Sequence, residues 1–117
     1  MIRKTDKSEQ GRAGEIRKFF RTRYAQNTGV AELAEVLGLS ESRTIHLLQS
    51  EFQKGFSQLL TEERLKHVEQ LLRESDLPLR KIAEMCGFRN EYYLSTVFKK
   101  YCGISPGQKR KIIKDEL

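Results

Sequence analysis

The stretch that decides the fold is residues 79–110, which read LRKIAEMCGFRNEYYLSTVFKKYCGISPGQKR. Apolar residues recur at helical spacing up to Cys86, and Gly87 then ends that helix, because glycine adopts left-handed backbone geometry without a steric penalty. A second helix is predicted from about Asn90, with an apolar face formed by Leu94, Val97, Phe98 and Tyr101. This pattern is typical of a helix-turn-helix, whose second helix enters the DNA major groove. An ordinary helical hairpin in a bundle is the alternative.

The same pattern occurs once more, earlier in the chain. The segment LAEVLGLS at residues 33–40 matches IAEMCGFR at residues 82–89, so that Gly38 takes the place of Gly87. The offset between the copies is 49 up to the turn and 50 beyond it, so the second copy has one residue added between the glycine and its helix. The repeat predicts two helix-turn-helix units in tandem.

Residues from about Glu15 to Arg110 resemble the DNA-binding domain of the AraC/XylS family of bacterial transcription regulators. The most specific part of the family pattern stands here as Ile82, Ala83, Gly87, Phe88, Tyr93, Leu94, Phe98, Lys99, Lys100, Gly103, Ser105 and Pro106. The motif of the family's central helix is matched by Arg64, Leu65, Leu71 and Leu72. The chain departs from the pattern at Thr44 for leucine, Leu48 for phenylalanine, Gln53 for glycine and Lys109 for tyrosine.

We predict an all-α fold of about seven helices, with two helix-turn-helix subdomains joined by a long central helix. The predicted division is a flexible lead or linker stub at 1–12, a first subdomain at 13–56, a connecting helix at 57–75 and a second subdomain at 76–117. A helix of ~18 residues spans about 27 Å, enough to hold two recognition helices about one duplex turn (~34 Å) apart. The resemblance implies double-stranded DNA as the partner, with RNA polymerase as a further one. Family members often carry a separate regulatory or dimerisation domain, so the chain is either a short self-sufficient regulator or a detached C-terminal domain.

Composition agrees with this interpretation. The net charge of +6 over 117 residues suits a polyanionic partner, although basic surfaces also serve solubility. No apolar run approaches the ~18 residues needed to cross a membrane, and the start of the chain lacks the apolar core of a signal peptide. Two cysteines without a disulfide framework fit a reducing compartment, so we expect a cytoplasmic protein with no membrane partner.

Patterns that indicate catalysis or cofactor binding do not occur in the sequence. Cys86 and Cys102 form no CxxC pair, and neither His46 nor His67 stands at metal-ligand spacing from another ligand. Cys86 falls on the packing face of its helix and is predicted to be a buried thiol. We therefore expect no enzyme activity, no cofactor and no metal. The functional alternative to DNA binding is a helical protein-interaction module whose basic faces serve solubility.

The first candidate recognition helix follows Ser40, a natural N-cap, and extends to about Phe52. Its candidate DNA-binding residues are Ser42, Arg43, Ile45, His46 and Gln49. Ile45 admits two interpretations: contact with a thymine methyl group in the groove, or packing in the core where Thr44 leaves space. The second interpretation is preferred.

The second candidate recognition helix offers a longer set, namely Arg89, Asn90, Glu91, Tyr92, Tyr93, Ser95, Thr96, Lys99 and Lys100. The two lysines stand near its end and are expected to attract phosphates rather than to recognise bases. In family members an arginine commonly stands near the place of Thr96, and threonine lacks the reach to grip guanine in the same way. The two units are therefore expected to recognise different bases.

Basic residues also occur at both ends of the chain. The basic residues of the N-terminal segment are Arg3, Lys4, Lys7 and Arg12. A solvated tail is the preferred interpretation of this segment, and an arm that touches DNA is the alternative. The last helix is predicted to begin at Ser105-Pro106, with Ile112 and Ile113 inward. Its basic residues, all predicted to point outward, are Lys109, Arg110, Lys111 and Lys114.

Overall fold

The computed structural model describes the backbone of residues 2–116 and the side chains of residues 11–116. Over these residues the chain forms helices and no strand, which confirms the all-α prediction. The helices are α1 (Ile2–Arg23), α2 (Val30–Leu37), α3 (Glu41–Phe52), α4 (Phe56–Glu74), α5 (Leu79–Met85), α6 (Glu91–Cys102) and α7 (Pro106–Glu116). No helix in this part of the chain combines the length and the apolar character that a membrane crossing requires.

The start of α1 lies further toward the N-terminus than the sequence pattern indicates. The apolar spacing begins only near Glu15, whereas α1 begins at Ile2. The residues ahead of Glu15 are mostly polar, so they show no apolar periodicity even where the backbone is helical. Within the predicted basic arm, the side chains of Arg3, Lys4 and Lys7 lie outside the described residues.

Backbone contacts divide the chain into two compact units, whose boundary falls within α4 between Thr61 and Glu62. Unit 1 is the N-terminal part up to Thr61, and unit 2 is the C-terminal part from Glu62. The α4 helix is continuous over 19 residues and contributes to both units. The separate connecting segment at 57–75 remains a prediction.

The core of unit 1 is built from apolar residues of four helices. Its buried members are Ile16, Phe19, Phe20, Leu33, Leu37, Leu48 and Leu60. Aromatic rings meet within it: Phe19 and Phe20 pack edge to face with centroids 5.5 Å apart, and the Phe56 ring lies tilted against Phe20 at 5.0 Å. Such pairs add about 0.5–1.5 kcal/mol each beyond area burial. The buried faces of α2 and α3 pack on this core, which leaves their opposite faces exposed.

In unit 2 the buried apolar residues come from α4 to α7. They are Leu65, Val68, Leu72, Ile82, Ala83, Cys86, Phe88, Leu94, Phe98 and Ile113. The buried position of Cys86 confirms its prediction. Tyr101 and Ile112 were predicted to face inward, and both predictions were wrong, since these side chains are 44% and 45% exposed. Tyr101 lies in the last turn of α6, next to its final residue Cys102.

The prediction that Arg110 points outward from α7 was also wrong. Its Nη1 donates to the Leu77 carbonyl at 2.8 Å, and its Nη2 donates to the Ser75 carbonyl at 3.4 Å. The α7 helix is thereby tied to the segment that links α4 to α5. Two further basic residues of α7 form ion pairs, Lys109 with Glu69 at 3.4 Å and Lys114 with Asp76. Three of the basic side chains of α7 thus have partners within unit 2.

Candidate nucleic-acid interface

The turn between α2 and α3 in unit 1 is a glycine-centred helix end. Gly38 has φ +68°, and its N–H donates to the Glu35 carbonyl at 3.2 Å. The Leu39 N–H donates to the Ala34 carbonyl at 3.0 Å, which completes the paired bonds of a Schellman motif. The turn therefore redirects the chain within two residues, so that α3 begins immediately after it.

Unit 2 repeats this turn with the same hydrogen bonds. Gly87 has φ +86°, which confirms the predicted left-handed geometry. The Phe88 N–H donates to the Ala83 carbonyl at 2.9 Å, and the Gly87 N–H donates to the Glu84 carbonyl at 3.4 Å. Each unit thus contains a helix-turn-helix, and the tandem repeat seen in the sequence exists in the fold.

The second helix of each unit is capped in the same way. Ser40 Oγ accepts from the Arg43 N–H at 3.1 Å, and Asn90 Oδ1 accepts from the Tyr93 N–H at 2.8 Å. The prediction of Ser40 as an N-cap is confirmed. Both helices have 12 residues. Because the two caps correspond, Arg89 is the residue that the second copy adds, and it stands directly before the Asn90 cap.

All the candidate residues of α3 lie on its exposed face. Ser42, Arg43, Ile45, His46 and Gln49 are exposed, whereas Thr44 and Leu48 are buried. The preferred interpretation of Ile45 as a core residue was wrong, because its side chain is 50% exposed. Thr44 itself takes the inward position, fully buried, and its hydroxyl donates to the Ser40 carbonyl at 2.8 Å.

An open groove of about 430 Å³ runs along the exposed face of α3. It is lined by Arg12, Leu39, Ser42, Arg43, His46, Leu47 and Ser50. Arg12 was placed in a solvated tail by the sequence pattern, yet its Nη1 donates to the Leu37 carbonyl at 3.5 Å. Its position one helical turn before the buried Ile16 is the feature of the sequence that could have predicted this placement of Arg12. Two guanidinium groups and an imidazole thus border this face.

The α6 helix also presents its candidate residues outward, but several are engaged locally. Glu91 and Ser95 are half-buried, and the others, from Arg89 to Lys100, are exposed. The carbonyl oxygen of the Asn90 side chain serves as the cap, and the Thr96 hydroxyl donates to the Tyr92 carbonyl at 3.1 Å. Tyr92, at 76% exposed, is the most exposed large apolar side chain among those described. The groups that extend freely from α6 include the Tyr92 ring and the side chains of Lys99 and Lys100.

Cationic and aromatic side chains alternate at the start of α6. The guanidinium carbon of Arg89 lies 5.2 Å from the Tyr93 ring centroid, and the Tyr93 and Phe88 centroids are 6.2 Å apart. Phe88 has a second cationic neighbour, because the guanidinium carbon of Arg64 lies 6.0 Å from its ring centroid. Burial lowers the pKa of Arg64, an effect that Tyr93 and Cys86 oppose.

Comparison with known proteins agrees with this geometry. Residues 33–112 match a family described as a helix-turn-helix domain. The chain is 32% identical to the melibiose operon regulatory protein of Escherichia coli K12, over 80% of this chain and 31% of that protein. It superposes on the C-terminal domain of AraT, a response regulator from Geobacillus stearothermophilus, with a TM-score of 0.77 and 32% identity, covering 82% of this chain and 80% of that one.

The fold is also that of the DNA-binding domain of AdpA, a global transcriptional factor solved in complex with a target DNA. That likeness has a TM-score of 0.81 at 24% identity and covers 90% of this chain and 94% of the other. These matches define a helix-turn-helix protein. The chain belongs to the AraC/XylS family of bacterial transcription regulators, of which it contains the DNA-binding domain. It spans about a third of the length of the curated relatives that it matches.

Proposed function

We propose that the chain recognises a specific duplex sequence through both units, with α3 and α6 in adjacent major grooves. The observation that carries this proposal is the repeated geometry of turn, cap and 12-residue helix, each helix with a polar, exposed outer face. In a helix-turn-helix the second helix meets base edges with its N-terminal residues. The α4 helix, at 19 residues and about 28 Å, has the length for half-sites about one turn apart.

The side chains divide into two roles by their chemistry. Arg43 and Gln49 have the donors and the reach for base edges, and Ile45 offers an alkyl surface for a thymine methyl group. Lys99 and Lys100, in the last turn of α6, are suited to phosphate attraction, which supplies affinity without sequence preference. His46 lines the same protein groove as Arg12 and Arg43, and we assign it to contact with DNA phosphates.

Selection of bound duplexes from a random library, followed by gel-shift titration at two salt concentrations, tests the proposal. We expect affinity to fall steeply with salt, and the selected site to bind on the order of a thousand-fold more tightly than a scrambled duplex. Absence of DNA binding at low salt would contradict the proposal and favour the helical protein-interaction module. Salt-dependent binding without any selected sequence would contradict the specific part of it.

A further inference from the structure

The Tyr93 ring lies at the first turn of α6, beside a second aromatic ring. One neighbour is the buried Phe88, at 6.2 Å between ring centroids. The backbone of Tyr93 is fixed by its N–H bond to the Asn90 cap at 2.8 Å. The guanidinium carbon of Arg89 lies over the Tyr93 ring, 5.2 Å from its centroid, which is within the range of a cation–π contact.

The equivalent position in unit 1 is occupied by an arginine. Because α3 and α6 begin directly after Ser40 and Asn90, Arg43 and Tyr93 are each the third residue of their helix. Unit 2 has no arginine there, but Arg89 reaches the same turn from the position before the cap. Each unit thus has a guanidinium at the first turn of its recognition helix. In unit 1 it comes from the third residue of the helix, and in unit 2 it comes from the residue before the cap.

We propose that Tyr93 is a positioning residue that holds Arg89 for guanine recognition, which makes Arg89 the counterpart of Arg43 in unit 2. This inference rests on the proposed function, and it assigns one guanine to each half-site. A guanidinium donates two parallel hydrogen bonds to guanine O6 and N7, the commonest specific contact in the major groove. Stacking on Tyr93 reduces the conformations available to the long arginine side chain before it meets DNA, which favours that two-bond geometry.

Two polar side chains near the start of α6 are already engaged within the helix. The Thr96 hydroxyl donates to the Tyr92 carbonyl, and the Asn90 amide is oriented by the cap bond that its oxygen accepts from the Tyr93 N–H. Arg89 is exposed, and its planar fork has five N–H donors. Among the described residues of α6 and its preceding turn, Arg89 is therefore the group best suited to two acceptors on one base.

The experiment measures binding of each variant to the selected site and to its single base-pair substitutions. We expect Arg89→Ala to lose roughly ten- to a hundred-fold in affinity for the selected site, and to stop discriminating at one guanine of one half-site. Arg43→Ala should lose discrimination at the corresponding guanine of the other half-site. Tyr93→Leu should resemble Arg89→Ala, and the double variant should lose no more than Arg89→Ala alone. Tyr93→Phe, which keeps the ring, should retain discrimination.

Arg73→Ala is the matched control, because Arg73 is an exposed arginine of unit 2 in α4 and its loss changes the net charge equally. It should lower the affinity for all duplexes slightly and leave base discrimination intact. Circular dichroism of each variant establishes that it is folded. If Tyr93→Leu does not fold, Arg89→Ser combined with Tyr93→Arg replaces it. That pair places the arginine at the third residue of the helix, as in unit 1, and should retain the guanine preference that Arg89→Ser alone loses.

Two results would overturn the inference. Arg89→Ala could weaken all duplexes alike and lower the salt slope by about one, which would make Arg89 a phosphate contact. Tyr93→Leu could leave discrimination at the guanine unchanged, which would make the stacking irrelevant to recognition. Failure of the proposed function differs from both, since the wild-type chain would then show no selected sequence.

Discussion

At the scale of single residues, the backbone adopts left-handed geometry at four of the described positions, each at the end of a helix. Three are the glycines Gly38, Gly87 and Gly103, and the fourth is Gln53, with φ +56°. Left-handed geometry costs a residue with a Cβ roughly 1–2 kcal/mol, and a β-branched side chain tolerates it least. The direction of each recognition helix depends on these few angles.

Gly87→Val is expected to destabilise the fold by about 1–3 kcal/mol and to abolish DNA binding, because valine resists φ +86° and the helix that follows would be redirected. Chemical denaturation and gel-shift titration measure the two effects. Gly14→Ala is the control, since Gly14 lies within α1 with open space around it. It should leave DNA binding unchanged. A Gly87→Val variant with normal stability would refute the role of the turn.

Lys99→Ala and Lys100→Ala are each expected to weaken binding to all duplexes alike and to lower the salt slope by about one unit. Both side chains are exposed near the end of α6, away from the N-terminal residues that meet base edges. Gel-shift titration over a salt series gives the slope. An altered sequence preference with an unchanged slope would show that these lysines contact bases.

The buried Cys86 predicts a loss of stability in alkali. Burial raises its pKa to about 11, against an ordinary value of 9.0, while the nearby Arg64 acts in the opposite direction. The unfolded thiol therefore releases its proton at a lower pH than the folded one, so the stability contribution of this group is complete below about pH 9 and falls as the pH rises toward 11. We expect the free energy of unfolding to decrease by roughly 1–3 kcal/mol across this window.

Denaturation of the wild type and of Cys86→Ala at several pH values from 8 to 11 measures this effect. The variant should be less stable at neutral pH because it leaves a small cavity, but the difference between the two proteins should shrink as the pH rises. A constant difference over the whole range would refute the assignment. Thiol labelling of the folded protein should modify the exposed Cys102 before Cys86.

At the scale of elements, α3 and α6 are built on one plan and differ in how they end. Gly103 ends α6 with φ +84°, whereas Gln53 ends α3 with φ +56°. The Gln53 side chain donates from Nε2 to the Ser50 carbonyl at 3.0 Å, which offsets part of the cost of that geometry. The departure of Gln53 from the family's glycine therefore leaves the end of the helix in place.

Gln53→Gly is expected to raise the free energy of unfolding by about 0.5–1 kcal/mol, because glycine accepts the left-handed angle without strain. Gly103→Ala is the reciprocal change in unit 2, where an added Cβ would meet open space and only the angle is unfavourable. It should lower stability by a similar amount. Thermal and chemical denaturation provide the comparison, and a stabilising Gly103→Ala would contradict it.

At the scale of the whole molecule, the two units carry the same architecture with different outer faces. The face of α3 presents Arg43, His46 and Gln49, whereas that of α6 presents tyrosine rings, Arg89 and two lysines. Different side chains at equivalent positions select different bases. The binding site is therefore expected to be two unequal half-sites rather than a repeat of one.

Hydroxyl-radical footprinting on a selected duplex tests this expectation. We expect two protected patches on one face of the duplex, about ten base pairs apart, from a single copy of the chain. Variants of α3 should weaken protection in one patch first, and variants of α6 in the other. A single patch from a monomer would contradict the use of both units.

Most of the features predicted from the sequence are local. The glycine turns, the Ser40 cap and the bounds of α3 follow from interactions between residues close in the chain. Helical periodicity placed Cys86 on the packing face of its helix, and the repeat at an offset of 49 to 50 identified both recognition helices. The outer faces of those helices followed from the same periodicity, because the residues that must be buried leave the others exposed.

Which side chains are buried at the edges of these helix faces depends on tertiary packing and could not be predicted from the sequence. Ile45 is exposed because Thr44 meets the core with its hydroxyl bonded to its own helix, and Arg110 turns inward because carbonyls of Ser75 and Leu77 lie within its reach. The contact of Arg89 with the Tyr93 ring, and that of Tyr93 with Phe88, likewise appear only in the three-dimensional structure. Helical periodicity locates a face to within about one residue, or 100° of rotation, and the groups that pack against it decide the rest.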